Sequence, residues 1–281
     1  MFNELSRGDF PANPLEKPGY ILEFNDDFDQ GEIDTSKWIT CYLPQWSSCE
    51  RSTPNYTFEG SSLVLQITRD QPPWCPEWDG EVRASVIQSG VFAGPLGSKI
   101  GQSRFSDQLA VRETQTNIRK YTPQFGYFET RVKGSPAGGV HGSLWMIGYE
   151  DVPEHSGEIC LFELLGSGAS AESSSVYYGV HPWSDPNIRE EFFTETFAID
   201  TTKFHIYAVE WTPMHVDFFI DNVKIKTVQQ SPQYPMQFML GIFELPLEGA
   251  WNGPYDPDAP YPKSFTVDYL RGYQPVNGYS K

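Results

Sequence analysis

Two glutamates in an otherwise apolar segment are the residues of this sequence whose type and spacing could carry out a reaction. The segment runs from Gly157 to Gly166 and holds Glu158 and Glu163 among aliphatic and aromatic residues. Burying an unpaired carboxylate in an apolar strand is costly, and two such residues indicate a chemical role. One carboxylate can act as a nucleophile while ionised, and the other can deliver a proton.

The spacing of the glutamates predicts an irregular strand. Side chains alternate between the two faces of a strand, so residues five apart would face opposite sides. Glu158 and Cys160 would share a face, and Glu163 would point away from it. One β-bulge between them returns Glu163 to the face of Glu158, and bulges are common beside active sites. We therefore predict a bulged strand with both glutamates facing one cleft.

A pair of carboxylates across a sugar-binding cleft is typical of a glycosidase. A separation of about 5 Å leads to retention of anomeric configuration, and a wider gap leads to inversion. Apolar walls and the neighbouring like charge would raise the pKa of one glutamate and keep it protonated. The alternative is that both glutamates form ion pairs with arginines in a polar interior.

Aromatic residues near the glutamates could supply the flat apolar platforms that sugar rings need. Trp145 lies one predicted strand upstream, whereas Tyr177, His181 and Trp183 lie one strand downstream, and Trp251 lies in a late loop. Ligand sites combine apolar walls with a few polar groups, so we predict substrate contacts for these five residues. The alternatives are core packing for any single tryptophan and a structural hydrogen bond for His181.

The elements that position these residues are predicted to be strands. Among 281 residues, 15% are aromatic, with 24 Gly and 23 Pro, and helical periodicity is scarce. This composition favours an all-β sandwich of many short strands joined by turns. We expect one domain over residues 1–281, with an extended N-terminal arm over 1–20. The insertion 70–110 either walls the cleft or is a disordered surface excursion.

Charge and cysteine content narrow the partners and the compartment. The net charge of −17 repels nucleic acid and anionic membranes and argues against a heavily sulfated polysaccharide, although simple solubility also explains it. No apolar run is long enough for a membrane span, and the N-terminus lacks the apolar core of a signal peptide. The protein is therefore cytoplasmic, or its signal was removed. Cys41, Cys49 and Cys75 permit one disulfide, and no zinc-site spacing is present.

Five segments in the same order resemble glycoside hydrolase family 16, the laminarinase- and lichenase-type β-glycan endohydrolases. They are Phe24–Phe28 with Asp34–Trp38, Phe125–Arg131, Leu144–Gly148, Phe204–Pro213 and Phe265–Tyr273. The resemblance implies a two-sheet antiparallel β-jelly-roll sandwich of the concanavalin-like type, with a concave sugar-binding cleft. It also implies secretion or a cell-surface or periplasmic location, a monomeric state, and no cofactor for catalysis.

The family's catalytic signature, Glu-x-Asp-x-x-Glu, assigns roles to residues of this chain. By resemblance, Glu158 is the nucleophile and Glu163 is the general acid/base. The family's middle Asp falls on Cys160, whose thiol is a weak donor and normally neutral near pH 7. We therefore expect an altered pH profile or a lower rate.

The resemblance also implies a structural calcium ion on the side away from the cleft. The matching positions are Glu23, Gly60 and Asp268. Calcium requires several oxygen ligands, which these positions would have to bring together.

The functional prediction is a retaining endo-hydrolase of a polysaccharide or oligosaccharide, with β-1,3- or β-1,3/1,4-glucan as the first substrate class. Agar-type galactans are the second class, and transglycosylation is an alternative outcome because a sugar hydroxyl can intercept a covalent intermediate. A non-catalytic carbohydrate-binding relative with a degenerate site is the alternative that Cys160 favours.

Overall fold

Two stacked antiparallel sheets make up most of the protein, of which the computed structural model describes residues 5–279. The strands are β1 (Tyr20–Asp26), β2 (Asn55–Glu59), β3 (Ser62–Ile67), β4 (Arg83–Gln88), β5 (Gly90–Val91), β6 (Ile118–Arg119), β7 (Gly126–Lys133), β8 (Val140–Gly148), β9 (Glu158–Leu165), β10 (Ser174–His181), β11 (Glu191–Phe197), β12 (His205–Trp211), β13 (Val216–Ile220), β14 (Val223–Val228), β15 (Met236–Glu244) and β16 (Lys263–Pro275). Helical structure is limited to α1 (Pro76–Asp79) and two 3-10 turns, Pro44–Trp46 and Gly166–Gly168. Within residues 5–279, no helix is long and apolar enough to cross a membrane.

The strand order defines the sandwich. The larger sheet has the order β14-β13-β12-β7-β16-β3-β2, with β1 also paired to β16, and the smaller has the order β11-β10-β9-β8-β15-β4. Strands β5 and β6 form a separate pair. The all-β antiparallel prediction is therefore confirmed.

The main core lies between the two sheets and follows the alternation of each strand. Phe128 and Val132 of β7 and Leu144 and Met146 of β8 are fully buried in it. Intervening residues of β8, such as Ser143 and Trp145, face the opposite side of the smaller sheet, because side chains alternate along a strand. That outer face carries the candidate site.

A second apolar cluster covers part of this outer face. Loop residues Tyr42, Trp46 and Trp74 pack in it over Val86 of β4 and Met239 of β15. The Cys41–Cys49 disulfide lies in one of the loops, which confirms one disulfide among the first three cysteines. Burial of these aromatic side chains is the main reason that the loops hold to the sheet.

The insertion 70–110 is not a surface excursion, because it contains α1 and the edge strand β4. Polar side chains of β4 find partners at the sheet edge, since Arg83 pairs with Glu244 at 2.9 Å and Ser85 Oγ donates to the Gln66 carbonyl at 2.6 Å. These tertiary contacts stabilise a strand that its own sequence pattern did not reveal.

The described part of the N-terminal arm, residues 5–19, contains no helix or strand and crosses the outer face of the larger sheet. Arg131 Nε donates to the Phe10 carbonyl at 2.7 Å, and Arg271 Nη1 donates to the Asn13 carbonyl at 2.8 Å. Residues 1–4 of the predicted arm lie outside the described residues.

Candidate active site

The predicted bulge is present in β9. Glu163 pairs with Ser143 and Cys160 pairs with Trp145, so two residues of β9 stand opposite the single residue Leu144. Leu161 is the additional residue, and it packs into the core. The extra residue brings Glu158 and Glu163 to the same outer face of the smaller sheet.

Neighbouring strands place a defined set of side chains beside the glutamates, because residues directly opposite in an antiparallel sheet share a face. Across β8, β9 and β10 the rows are Ser143–Glu163–Tyr177, Trp145–Cys160–Gly179 and Ile147–Glu158–His181. Three of the predicted substrate residues, Trp145, Tyr177 and His181, therefore flank the candidate catalytic residues.

The other two predicted substrate residues lie at the rims of the cleft. Trp183 is 61% exposed, and its Nε1 donates to Glu158 Oε2 at 2.8 Å. Trp251 is 53% exposed, and its ring centroid lies 4.7 Å from that of His141. Trp183 is thus more than a platform, because it contacts the candidate nucleophile directly.

A cavity of about 430 Å³ contains this site. Its lining includes Glu158, Glu163, Trp145, His181, Trp183 and Trp251, together with Tyr42, Trp74, Asp79, Ser103, Phe105, His141, Ser143, Phe192 and Phe243. Tyr177 and Cys160 do not line the cavity: Tyr177 lies beside Glu163 on the same face of the sheet, and Cys160 is fully buried.

The surroundings of the two glutamates affect their pKa values differently. Burial and the neighbouring charge of Glu158 raise the pKa of Glu163 to about 8, so Glu163 holds a proton at neutral pH. Burial also raises the pKa of Glu158, but His181 and the hydrogen bond from Trp183 oppose that shift. Within residues 5–279 neither glutamate forms an ion pair with an arginine or lysine, contrary to the alternative of paired glutamates in a polar interior. Unequal surroundings of this kind are what a proton donor beside a carboxylate nucleophile requires.

Cys160 lies between the glutamates as a neutral group. Its side chain is completely buried, and burial raises the pKa of its thiol well above the ordinary value. The charges of Glu163 and Glu158 act in the same direction. Cys160 therefore adds no negative charge between the pair near neutral pH.

The residues predicted to bind calcium do not converge. The Glu23 carboxylate accepts a hydrogen bond from Tyr121 at 2.9 Å, whereas Asp268 pairs with Arg131 at 2.9 Å. Glu23 lies beside Gly272, four residues along β16 from Asp268, which is a separation of about 13 Å. Gly60 lies in the β2–β3 turn. Within residues 5–279 no three His, Cys, Asp or Glu residues form a metal-binding group, and calcium binding at these positions stays a prediction.

Several residues of the cavity were not found from the sequence. His141 and Ser143 precede Trp145 by four and two residues, so the alternation of β8 would have placed them on the same face. Burial lowers the pKa of His141 to about 3, and this ring is therefore neutral. Asp79 and Phe105 reach the cavity from loops, and no local pattern marks them.

Comparison with known proteins agrees with this geometry. The chain is 37% identical to a GlcNAcα1-4Gal releasing endo-β-galactosidase from Clostridium perfringens, whose structure superimposes with a TM-score of 0.84 over 97% of this chain and 66% of that one. It is 23% identical to a keratan-sulfate endo-1,4-β-galactosidase from Sphingobacterium multivorum over 94% of this chain, and 27% identical to a β-glucanase from Rhodothermus marinus over 53% of it. The chain spans 57% of the length of each of these two curated relatives.

A family profile matches the part of the chain that contains the site. The profile described as glycosyl hydrolases family 16 covers residues 105–270, more than half of the sequence, and includes β8, β9 and β10. With both glutamates on one bulged strand at the floor of the cavity, the chain belongs to glycosyl hydrolases family 16.

Proposed function

We propose that the protein is a retaining endo-hydrolase that cleaves β-galactosidic bonds inside a glycan chain. The observation that carries the proposal is the pair of glutamates that the β9 bulge brings to one face, with the pKa of Glu163 raised to about 8. Glu158 acts as the nucleophile, and Glu163 acts as the general acid and then as the general base.

The reaction proceeds in two displacements. The Glu158 carboxylate attacks the anomeric carbon, the bond from that carbon to the leaving oxygen breaks, and Glu163 gives its proton to that oxygen. The ionised Glu163 then takes a proton from water, whose oxygen attacks the anomeric carbon and releases Glu158. Glu163 regains its proton in this second step, so the enzyme returns to its starting state.

Residues beside Glu158 favour its role as a nucleophile. The Trp183 indole N–H stabilises the carboxylate at 2.8 Å, and His181 also opposes the effect of burial on the pKa of Glu158. The neutral Cys160 adds no charge to the pair. Replacement of the family's middle Asp therefore removes a negative charge and leaves both reacting carboxylates in position, which supports an active enzyme over a purely carbohydrate-binding relative.

Sequence identity supports a galactose-containing substrate over the β-glucan that the sequence analysis placed first. The 37% identity to an endo-β-galactosidase extends over 97% of this chain, whereas the 27% identity to a β-glucanase extends over 53%. The net charge of −17 favours a neutral or weakly charged glycan. A β-glucan is the second candidate because of that β-glucanase.

An oxidising compartment is part of the proposal. The Cys41–Cys49 disulfide supports a secreted, cell-surface or periplasmic enzyme, because such bonds persist outside the reducing cytosol.

Hydrolysis of a panel of β-galactans, galactose-containing oligosaccharides and β-glucans tests the proposal. Wild-type protein should release reducing sugar from a galactan with retained anomeric configuration, followed by NMR. Glu163→Gln should lower kcat by about 10²–10⁴-fold, whereas Glu154→Gln, at an exposed position of the preceding loop, should match wild type. Longer products at high substrate concentration would indicate transglycosylation.

Two results would contradict the proposal. Glycan binding without hydrolysis of any panel member would identify a binding protein. Full activity of Glu158→Gln would show that Glu158 is not the nucleophile.

A further inference from the structure

The cleft that contains the glutamates is covered at one end and open at the other. Strand β4, at one edge of the smaller sheet, is almost entirely buried, whereas no residue of β11, at the opposite edge, is fully buried. The covering elements are the loops of the second apolar cluster. A glycan lying across the strands can therefore extend past β11 but not past β15.

Four residues form the surface that closes the cleft, and we call Tyr42, Trp74, Asp79 and Phe105 the end wall. The rings are in contact, with centroids 4.6 Å apart for Tyr42 and Trp74 and 5.9 Å apart for Trp74 and Phe105. Tyr42 also meets Phe243 of β15 at 5.4 Å, which joins the end wall to the floor. The four residues of the end wall and Phe243 all line the cavity.

Contacts behind the end wall fix it in place. Glu77 of α1 pairs with Arg51 at 2.8 Å and with Arg112 at 2.7 Å, and so connects three loops. Ser103 N–H donates to Glu150 Oε1 at 2.6 Å, which joins the loop that carries Phe105 to the loop after β8. The rings of Tyr42 and Trp74 are also buried, and close packing of this kind favours a fixed boundary over a lid that opens with each turnover.

Asp79 gives the end wall a hydrogen-bonding group. Its Oδ2 accepts from Trp74 Nε1 at 2.6 Å, which orients the carboxylate among aromatic rings at the cavity surface. A carboxylate with free lone pairs accepts hydrogen bonds from sugar hydroxyls, and the ring faces can pack against the apolar side of a sugar. Its charge repels sulfate and carboxylate groups at the same place.

The distance from the glutamates to the end wall limits how much glycan fits on this side. Strand β15 is two strands from β9, and strands are spaced by about 4.8 Å, so the covered floor begins about 10 Å from the catalytic pair. Only a short end of a chain can occupy this space.

We propose that the end wall is a subsite for the terminal, uncharged sugar of the glycan, with Asp79 as its specificity-determining residue. The inference rests on the proposed function and refines it. Cleavage then occurs at a constant distance from a chain end, and one product has the same length from the first turnover onward.

Binding of a galactose-terminated β-linked disaccharide, followed by tryptophan fluorescence, tests the subsite independently of catalysis. Wild type and Glu81→Gln, which removes a charge at an exposed position of the same loop, should bind equally. Asp79→Asn should bind at least about tenfold more weakly, because a hydrogen bond to a charged group is lost. A disaccharide that is sulfated on its terminal sugar should bind weakly to the wild type. Its affinity should not exceed the affinity of Asp79→Asn for the neutral disaccharide.

The outcomes separate this inference from the proposed function. Equal affinity of Asp79→Asn and wild type, or no binding by wild type, overturns the subsite even if the enzyme hydrolyses galactans. Disaccharide binding that depends on Asp79 supports it even if no hydrolysis is found. With an active enzyme, chromatography of early products should show one short oligosaccharide from wild type, and a ladder of lengths would overturn the proposal.

Discussion

Trp183 is expected to set the pH at which the nucleophile becomes active. Its Nε1 donates to Glu158 Oε2 at 2.8 Å, and this bond opposes the increase that burial causes in the pKa of Glu158. Trp183→Phe removes the N–H and keeps an aromatic ring at the rim. The carboxylate form of Glu158 then loses a stabilising donor, and the pKa of Glu158 rises.

The size of the shift follows from the strength of the bond. A hydrogen bond to a charged group contributes about 1.5–3 kcal/mol, and about 1.4 kcal/mol corresponds to one pKa unit. The ring of Trp183 is 61% exposed, so water can take the place of the indole in part. We therefore expect an increase of about one unit, at the lower end of that range.

The pH dependence of kcat/KM measures this shift. Glu158 must be ionised, so activity falls as the pH drops through its pKa, and a higher pKa moves the acidic limb to higher pH. Glu163 must be protonated, so activity falls as the pH rises through about 8. Trp183→Phe should move the acidic limb by about one unit and leave the basic limb unchanged.

Trp251→Phe is the matched control, because Trp251 is an exposed tryptophan on the opposite rim. It should change KM without moving either limb. If Trp183→Phe lowers kcat/KM equally at all pH values, Trp183 acts only as a platform and the reasoning fails.

Three further predictions concern Cys160, Gly179 and a buried ion pair. Iodoacetamide at pH 8 should leave the native enzyme active and Cys160 unmodified by mass spectrometry, because this thiol is buried and neutral; alkylated native protein would contradict this. Gly179→Ala should lower the free energy of unfolding, measured in urea, by about 2–4 kcal/mol. The φ angle of Gly179 is +145°, and an added Cβ would lie 2.3 Å from a carbonyl oxygen of β11. Gly8→Ala is the control and should have no effect, because nothing lies within 4 Å of an added Cβ there. Lys263→Met should cost about 1.5–3 kcal/mol in the same assay, because the buried Glu244 carboxylate loses the ammonium that contacts it at 2.5 Å but keeps Arg83 at 2.9 Å; an unchanged urea midpoint would show that the Lys263–Glu244 pair contributes little.

The bulge of β9 could be predicted because its evidence is local. The five-residue spacing of Glu158 and Glu163 conflicts with the two-residue period of a strand, and one inserted residue resolves the conflict. Strands β7, β8 and β12 overlap Phe125–Arg131, Leu144–Gly148 and Phe204–Pro213, which the family resemblance had already singled out. Which strands lie next to each other depends on pairing between segments that are distant in the sequence. The pairing register that places particular side chains beside the glutamates across β8, β9 and β10 could therefore not be predicted.

Strand β4 was missed because its polar residues are satisfied only by distant partners. Arg83 and Ser85 are polar and therefore suggest a loop. In the structure Arg83 pairs with Glu244, and Ser85 donates to the Gln66 carbonyl. Asp79 was missed for a related reason, because its position in the cleft depends on loop packing. The hydrogen bond from Trp183 to Glu158 was beyond sequence reasoning, which assigned Trp183 only to substrate packing.

The two apolar clusters give the enzyme regions of unequal stability. The sandwich core stabilises the strands that carry the glutamates, whereas the smaller cluster stabilises the loops behind the end wall. Proteins open locally with free energies below that of global unfolding, and a small cluster at a sheet edge is an expected unit of such opening. On heating, the closed end should become an open groove while β8, β9 and β10 remain folded. The pattern of products would then change before the rate of bond cleavage falls.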